Sequence, residues 1–252
     1  HLQGKLIGKI STLGFSLKNE TMLSALTLDV LKSSEIEGEI LNYEQVRSSI
    51  ARKLGLDYAG MVFSDRYVDG VVEMMLDATQ NYLQTLEDER LFGWHAALFP
   101  TGRSGMRKIN TACYRTGEIQ VVSGPMGNEK IHFLAPPPSR VKSEMKDFLI
   151  WLNRDTEIDA VIKSAIAHFW FIIIHPFDDG NGRIARAISD LLLARSDNSS
   201  QRFYSLSNQI LQERKKYYEI LQKVQHSDGD ITEWINWFLN CLYRAIENSE
   251  TS

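Results

Sequence analysis

Residues 175–186 read HPFDDGNGRIAR, and this stretch decides the fold expected of the chain. Apolar residues recur at helical spacing through residues 158–173, and the same spacing resumes from Ile184. Pro176 opposes continuation of the first helix, so the pattern predicts a helix, a glycine-containing turn and a second helix. Backbone N–H groups at the start of the second helix are expected to face an anion.

The turn and the second helix carry residues suited to phosphate. Gly180 and Gly182 let the backbone approach a phosphate closely, because no Cβ intervenes. Asn181 can cap the second helix and also donate from its amide. Arg183 and Arg186 lie three residues apart, so both can reach an anion held at the turn.

Two further residues of the stretch suggest catalysis. Asp179 offers a hard oxygen ligand suited to Mg²⁺, which usually binds one or two carboxylates and substrate phosphates. His175 can accept a proton near neutral pH. Taken singly, such a histidine is usually a core or capping residue and a GNG is usually a turn. Taken together between two helices, they predict a nucleotide site.

The same stretch resembles the signature of the Fic family (filamentation induced by cyclic AMP): HPF, any residue, Asp or Glu, GNGR, two residues, Arg. It matches at every defining position. The resemblance implies a mainly α fold, a Fic-type helical bundle core with a small β-hairpin flap. It also implies transfer of AMP from ATP, with Mg²⁺, to a Ser, Thr or Tyr hydroxyl of a target protein. A kinase branch of the family has Lys at the position of Gly182, which favours adenylyl transfer here.

A helix predicted near the N-terminus carries an apolar stripe that ends in a carboxylate. The residues of this face are Leu23, Leu26, Val30, Ser33 and Glu37. Glu37 is therefore expected to face the core, where a carboxylate needs a cation. Either arginine of the signature can supply it, and the pattern does not choose between them. A solvated glutamate near a helix end is the alternative.

Residues 33–38, SSEIEG, resemble the inhibitory motif of Fic proteins: Ser or Thr, three residues, Glu, then Gly or Asn. The motif positions here are Ser33, Glu37 and Gly38. The resemblance implies that Glu37 pairs with Arg186 and displaces the γ-phosphate of ATP. We therefore expect a resting enzyme that is largely autoinhibited.

Between Glu118 and Pro138 the pattern changes from helix to strand. Two β-favouring runs, 119–122 and 131–134, flank a segment of turn residues, which predicts a hairpin. The Fic resemblance implies that this hairpin is a flap that docks the target by strand addition. The docking residues are then Ile131, His132 and Phe133. A hairpin that only caps the core is the alternative.

Two amphipathic helices are predicted after the signature, through 217–224 and 231–242. Aromatic residues at helical spacing usually indicate core packing. The Fic resemblance nevertheless places Tyr218 and Gln225 in an adenine pocket, where glutamine can present an amide edge to a base.

The predicted organisation is an N-terminal helical segment, 1–59, followed by a catalytic core, 60–252. The segment includes a helix from Tyr43 to Leu54, with Asn42 and Gln45 as a capping box. The chain has 252 residues, 43% of them hydrophobic, and a net charge of -4, which gives no general attraction to nucleic acid. Two cysteines without metal-ligand spacing fit a reducing, cytoplasmic location.

No apolar run reaches transmembrane length, so no membrane partner is expected. The chain begins at His1 rather than Met, which leaves open what precedes it. The target protein, the signal that releases inhibition and the oligomeric state, a homo-oligomer included, are also left open. Two other functions compete with adenylyl transfer: a non-catalytic ATP-sensing module, and a Fic-fold transferase that moves a different phosphate-containing group.

Overall fold

Helices dominate the structure, a computed structural model that describes residues 15–56, 60–123 and 130–250 together with Gly4 and Gly8. The helices are α1 (Phe15–Ile36), α2 (Tyr43–Leu54), α3 (Arg66–Gln80), α4 (Asp88–Leu98), α5 (Pro138–Asn153), α6 (Ala160–Ile174), α7 (Asn181–Asp197), α8 (Leu206–Gln212), α9 (Arg214–Gln225) and α10 (Thr232–Glu250). The strands form two small antiparallel pairs, β1 (Arg103–Ser104) with β2 (Arg107–Lys108) and β3 (Gln120–Ser123) with β4 (Lys130–Leu134). The mainly α fold expected from the sequence is therefore confirmed.

Helices α6 and α7 form the centre of the molecule and pack against each other more extensively than any other two described elements. The Asp159 carboxylate caps α6 by accepting from the N–H groups of Val161 and Ile162. Helix α7 is buried on nearly all sides, with Ile184, Ile188 and Leu193 fully inaccessible. A helix enclosed in this way holds its first turn in a fixed place, which is where the signature residues lie.

Helix α1 packs against both α2 and α8, and its apolar residues join the same hydrophobic cluster as the rest of the chain. The buried Asp29 carboxylate accepts from Ser205 Oγ at 2.6 Å and from Ser207 N at 3.0 Å. These bonds cap the N-terminus of α8. The N-terminal helix is thus anchored to a C-terminal one through a polar contact inside the core.

Helix α2 begins and ends as the sequence predicted, and Asn42 Oδ1 accepts from Gln45 N at 3.0 Å. The reciprocal half of the capping box was a wrong expectation. The Gln45 side chain accepts from Asp65 N instead, ahead of α3. Helices α3 and α4 cross closely at Gly70, where an added Cβ would lie 1.9 Å from the carbonyl oxygen of Ala97.

The predicted hairpin is present as β3 and β4, with Val121 opposite Phe133 and a register irregularity after Val121. Its turn, residues 124–129, lies outside the described residues, as do the side chains of Ile131, His132 and Phe133. Pro138 starts α5, a position that suits proline because the first helical N–H needs no partner. None of the helices in the described part of the chain combines the length and the apolar character that crossing a bilayer requires.

Candidate functional site

The signature forms the predicted turn between α6 and α7. His175 ends α6 in the left-handed conformation, with φ of 49°, and Gly180 precedes α7 with φ of 80°. Asn181 does not cap α7 as we expected. Its Oδ1 accepts from Phe177 N at 3.0 Å and its Nδ2 donates to Phe177 O at 2.8 Å, so the amide closes the turn from inside. The first N–H groups of α7 are left without a side-chain cap.

The two glycines of the turn lie against other residues with no room for a side chain. A Cβ at Gly180 would lie 2.9 Å from Phe99 Cε2, and a Cβ at Gly182 would lie 2.1 Å from Glu37 Oε1. The Glu37 carboxylate therefore rests directly on the backbone at the start of α7, where an anion is favoured.

The half-buried His175 ring has a defined tautomer. Its Nδ1 lies 3.2 Å from the carbonyl oxygen of Ile172. Because a carbonyl oxygen only accepts, Nδ1 carries the proton of the neutral ring and Nε2 keeps its lone pair. Burial lowers the pKa of His175 to about 4; the Ile172 carbonyl opposes that change, and Arg115 adds to it. The imidazole is thus neutral at physiological pH and suited to accept a proton.

Arg186 is 1% exposed and is bound by Ser33, in the last turn of α1, and by Glu37, which follows the helix. Its Nε donates to Ser33 Oγ at 2.9 Å, and its Nη2 donates to Ser33 O and Glu37 Oε1, both at 2.8 Å. Of the two arginines that the sequence left open for Glu37, the structure pairs Arg186 with it. The Nη1 group of Arg186 is buried and has no partner among the described residues.

Arg183 is held by a second carboxylate that sequence reasoning missed. Its Nη1 donates to Glu39 Oε2 at 2.6 Å and also to the hydroxyl of Tyr67. Its guanidinium lies 5.1 Å from the centre of the Phe99 ring. Burial raises the pKa of Glu39, although the charge of Arg183 opposes that rise. Both signature arginines are therefore bound to carboxylates of one short segment.

A Schellman turn at the end of α1 positions that segment. Gly38 has φ of 87°, its N–H bonds to Glu35 O, and the N–H of Glu39 bonds to Ser34 O, both at 3.0 Å. Glu37 therefore lies one residue beyond the helix, and our expectation that it faces the core was wrong. Its side chain is 31% exposed and points to Arg186 at the surface of the site.

The Asp179 carboxylate also lies at the start of α7. Its Oδ1 accepts from Gly180 N at 2.6 Å and its Oδ2 from the hydroxyl of Ser104, the last residue of β1. The neighbouring Asp178 faces away, because its Oδ2 accepts from Asn110 N at 2.9 Å and Asn110 Nδ2 at 3.0 Å. Within the described ranges no three acidic, His or Cys side chains cluster as a metal cage. A single carboxylate beside a phosphate site nevertheless fits Mg²⁺, which takes its other ligands from phosphates and water.

Two buried residues that were not predicted from the sequence, His95 and Arg115, pack against the turn on its core side. The ring of His95 stacks on Phe177 at 4.3 Å, and its Nδ1 accepts from Ala112 N at 3.2 Å. Burial lowers the pKa of His95 to about 4, so it stays neutral. Arg115, which is 2% exposed, donates from Nε to the carbonyl oxygen of His175 at 2.7 Å. The hydrogen bonds of both residues go to backbone groups, which leave no signal in the sequence.

The two residues proposed for an adenine pocket differ in their surroundings. Tyr218 packs against Tyr217 at 5.0 Å and lies under Arg214. Burial raises the pKa of Tyr218, and the charge of Glu37 adds to that rise, so the phenol lies in the electrostatic field of Glu37. Gln225 is the last residue of α9 and is partly buried. Among the described residues no contact joins it to the signature.

The structure thus has a helical core, a glycine turn with two buried arginines and a histidine, and an adjacent hairpin, as the resemblance to the Fic family implied. Residues 85–193 match the model of the Fic/DOC family. Residues 1–56 match a second model, described as "Domain of unknown function (DUF4172)". The chain therefore contains a Fic domain.

The chain also matches curated relatives whose names include Fic. The chain is 27% identical, over 222 residues, to "Protein adenylyltransferase Fic" of Culex quinquefasciatus, a match covering 86% of this chain and 40% of the relative. It is also 27% identical to "Protein adenylyltransferase Fic" of Nematostella vectensis, covering 86% of this chain and 47% of the relative. The chain thus spans less than half the length of these relatives.

Solved structures show the same fold. A Fic family protein from Desulfovibrio desulfuricans G20 superposes with a TM-score of 0.72 at 25% identity, covering 98% of this chain and 71% of that one. A fragment of Fic-1 from C. elegans superposes with a TM-score of 0.67 at 22% identity, covering 99% of this chain and 71% of that one. The Fic fold therefore extends over nearly the whole chain, α1 included.

Proposed function

We propose that this protein is an adenylyltransferase, which transfers AMP from ATP to a Ser, Thr or Tyr hydroxyl of a target protein. The observation that carries the proposal is the pairing of a proton acceptor with an anion site. His175 keeps its Nε2 lone pair, while Arg183, Arg186 and the uncapped start of α7 surround the adjacent turn. The names of the curated relatives support the same activity.

In this proposal His175 Nε2 takes the proton of the target hydroxyl, and the resulting oxygen nucleophile attacks the α-phosphorus of ATP. Pyrophosphate leaves as the new phosphoester bond forms. The backbone N–H groups of residues 180–182 and the guanidinium groups of Arg183 and Arg186 stabilise the negative charge of the phosphates. Most of the rate enhancement is expected from this positioning and charge stabilisation, because the protein forms no covalent bond to the phosphoryl group.

We assign Asp179 as the residue that would hold Mg²⁺. The ion would neutralise phosphate charge when bound. Asp179 is held in place by Gly180 N and the Ser104 hydroxyl, which leaves lone pairs on both carboxylate oxygens for a cation. Tyr218 and Gln225 are proposed to contact adenine, and β4, with Ile131, His132 and Phe133, to dock the target as an added strand.

Regulation follows from the occupied arginines. Glu37 lies on the backbone of Gly182 and binds Arg186, so its carboxylate holds a place that a phosphate oxygen needs. We propose that Glu37, with Ser33 and Gly38 of the same turn, inhibits the resting enzyme by excluding the productive pose of ATP. Residues 1–59 would then form the inhibitory segment and residues 60–252 the catalytic core. The free thiols of Cys113 and Cys241 fit a reducing, cytoplasmic location.

The test is label transfer from α-labelled ATP with magnesium, comparing the parent chain with Glu37→Gly and with the Glu37→Gly, His175→Ala double variant. We expect label on protein in the single variant and none in the double. Thermal stabilisation by ATP without label in the single variant would instead favour the ATP-sensing module. Label from γ-labelled ATP alone, or a preference for another nucleotide, would favour transfer of a different group.

A further inference from the structure

Arg115 is a buried cation whose partners are carbonyl oxygens. Its side chain is 2% exposed, and within the described residues it forms no ion pair. Its guanidinium donates to four backbone carbonyls: His175 and Gly117 at 2.7 and 2.9 Å, Pro136, and Ile174 at 3.4 Å. A buried charge held in this way is costly to keep, which calls for an explanation beyond packing.

Two of the four partners belong to the catalytic histidine's end of α6. The carbonyls of Ile174 and His175 are at a helix C-terminus, where no intrahelical N–H reaches them and a positive charge is favoured. The N–H of Arg115 also donates to Pro176 O at 2.8 Å. The carbonyls on both sides of the His175–Pro176 bond are therefore fixed by one residue.

This fixation matters because His175 is strained. A non-glycine residue in the left-handed region costs about 1–2 kcal/mol and persists only when its surroundings enforce it. The direction of the imidazole follows from that backbone conformation. The bond from Nδ1 to Ile172 O fixes the ring, and Arg115 fixes the main chain that carries it.

The other two partners flank the β3–β4 hairpin along the chain, at its open end. Gly117 precedes β3 and Pro136 follows β4, while Ala135 N donates to Ile119 O at 3.2 Å and extends the ladder toward Arg115. The same guanidinium thus bonds to the segment that enters the hairpin, to the segment that leaves it, and to the backbone of His175. It sets the spacing between the docking strand and the catalytic base.

From this geometry we propose that Arg115 is a positioning residue for the transfer reaction, which holds the docking hairpin and His175 in register so that a hydroxyl carried on β4 meets Nε2. The proposal rests on the proposed adenylyl transfer. Arg115 is not expected to contact ATP, because all its donor groups that face the turn are committed to backbone carbonyls. Its loss should therefore reduce the rate of transfer and leave ATP affinity unchanged.

The experiment introduces Arg115→Lys and Arg115→Met into the Glu37→Gly variant and measures automodification with α-labelled ATP, together with the Kd for ATP. Arg140→Met serves as the matched control, because Arg140 lies near the hairpin in sequence but is 65% exposed, and its side chain pairs with Glu144 on the same helix. We expect transfer to fall about 100-fold in Arg115→Met, the loss typical of a 1 Å misplacement at a reacting centre. Lysine keeps the positive charge but lacks the planar set of N–H donors of arginine, so it should recover part of the rate.

Rates are compared on folded protein, at a temperature well below the melting point of each variant. Unchanged transfer per folded molecule in Arg115→Met would overturn the proposal, and so would a loss of ATP affinity that explains the lower rate. If Arg115→Met does not fold, Arg115→Lys decides, because a purely structural cation would restore the full rate.

If the Glu37→Gly variant with Arg115 intact transfers no label, that result would refute the proposed transfer rather than the role of Arg115. In that case NMR titration of the His175 ring tests the contact directly. Removal of the Arg115 charge should raise the pKa of His175 from its low value, whereas an unchanged pKa and unchanged ring shifts in Arg115→Met would overturn the proposal.

Discussion

The contact between Glu37 and Arg186 should limit the activity of the resting protein by a predictable amount. A hydrogen bond to a charged group contributes about 1.5–3 kcal/mol, and the 31% exposure of the Glu37 side chain places this one at the low end. Every 1.4 kcal/mol corresponds to a factor of ten in an equilibrium constant. Loss of the contact should therefore raise the population of the open site about tenfold.

The perturbations are Glu37→Gln and Glu37→Gly. Glutamine can still bond to Arg186 as a neutral group, so it should raise transfer from α-labelled ATP by a few-fold, corresponding to about 1 kcal/mol. Glycine also removes the carboxylate that rests on Gly182, so we expect at least a tenfold rise. The order of rates should be parent, Glu37→Gln, Glu37→Gly.

Thermal stability provides an independent assay. Glu37→Gly removes the carboxylate partner of the buried Arg186, so the variant should melt below the parent without ligand. ATP should then stabilise the variant more than the parent, because its phosphates can replace the lost carboxylate. The matched control is Glu35→Gln, which removes a 43% exposed carboxylate two residues earlier that pairs with Lys32. Equal transfer in all four proteins, or an equal rise in Glu35→Gln, would refute the inhibitory role.

Four further predictions follow, three on this site and one on the buried His168. His175→Ala in the Glu37→Gly variant should abolish transfer while the Kd for ATP changes less than about threefold, which calorimetry can check; a retained rate would exclude His175 as the base. Glu39→Gln should raise transfer beyond Glu37→Gly alone, because it frees Arg183; no additional rise in the double variant would show that Glu39 is only structural. The pKa of His175 is lowered to about 4, so the transfer rate plotted against pH should decrease on the acid side with a midpoint near pH 4. A midpoint near pH 6.5 would contradict the buried environment of His175. Burial also lowers the pKa of His168 to about 3, a group that must stay neutral in the fold, so stability in urea should decrease as the pH falls below 6.5 toward that value.

The parts of the fold that the sequence predicted are those set by neighbours along the chain. Helical spacing on either side of Pro176 predicted α6, the turn and α7, and two β-favouring runs that flank turn residues predicted the hairpin. The position of Glu37 was wrong by one helical residue, although a signal was available. Gly38 follows the apolar stripe, and a glycine at that point commonly ends a helix in a left-handed turn.

The residues that the sequence could not reveal act across long separations or through the backbone. Glu39 lies 144 residues from Arg183, and no local pattern assigns one carboxylate to one arginine at that distance. Arg115 bonds to carbonyl oxygens, which every residue possesses, so its partners leave no trace in the residue types. The Asn181 amide could have capped α7 or bonded to the backbone of Phe177, and the backbone geometry of the turn determines that it bonds to Phe177.

The energies of the contacts indicate which part of the proposed inhibitory segment would move if ATP bound productively. Helix α1 buries Leu23, Leu26 and Val30 almost completely, and each such side chain contributes about 1.5–3 kcal/mol, so detaching the helix would cost at least about 5 kcal/mol. Displacing Glu37 and Glu39 breaks two partly exposed contacts, worth about 3 kcal/mol together, which ATP phosphates can replace on the same arginines. The smaller cost favours release by the Schellman turn alone, with α1 still anchored through Asp29 to the start of α8.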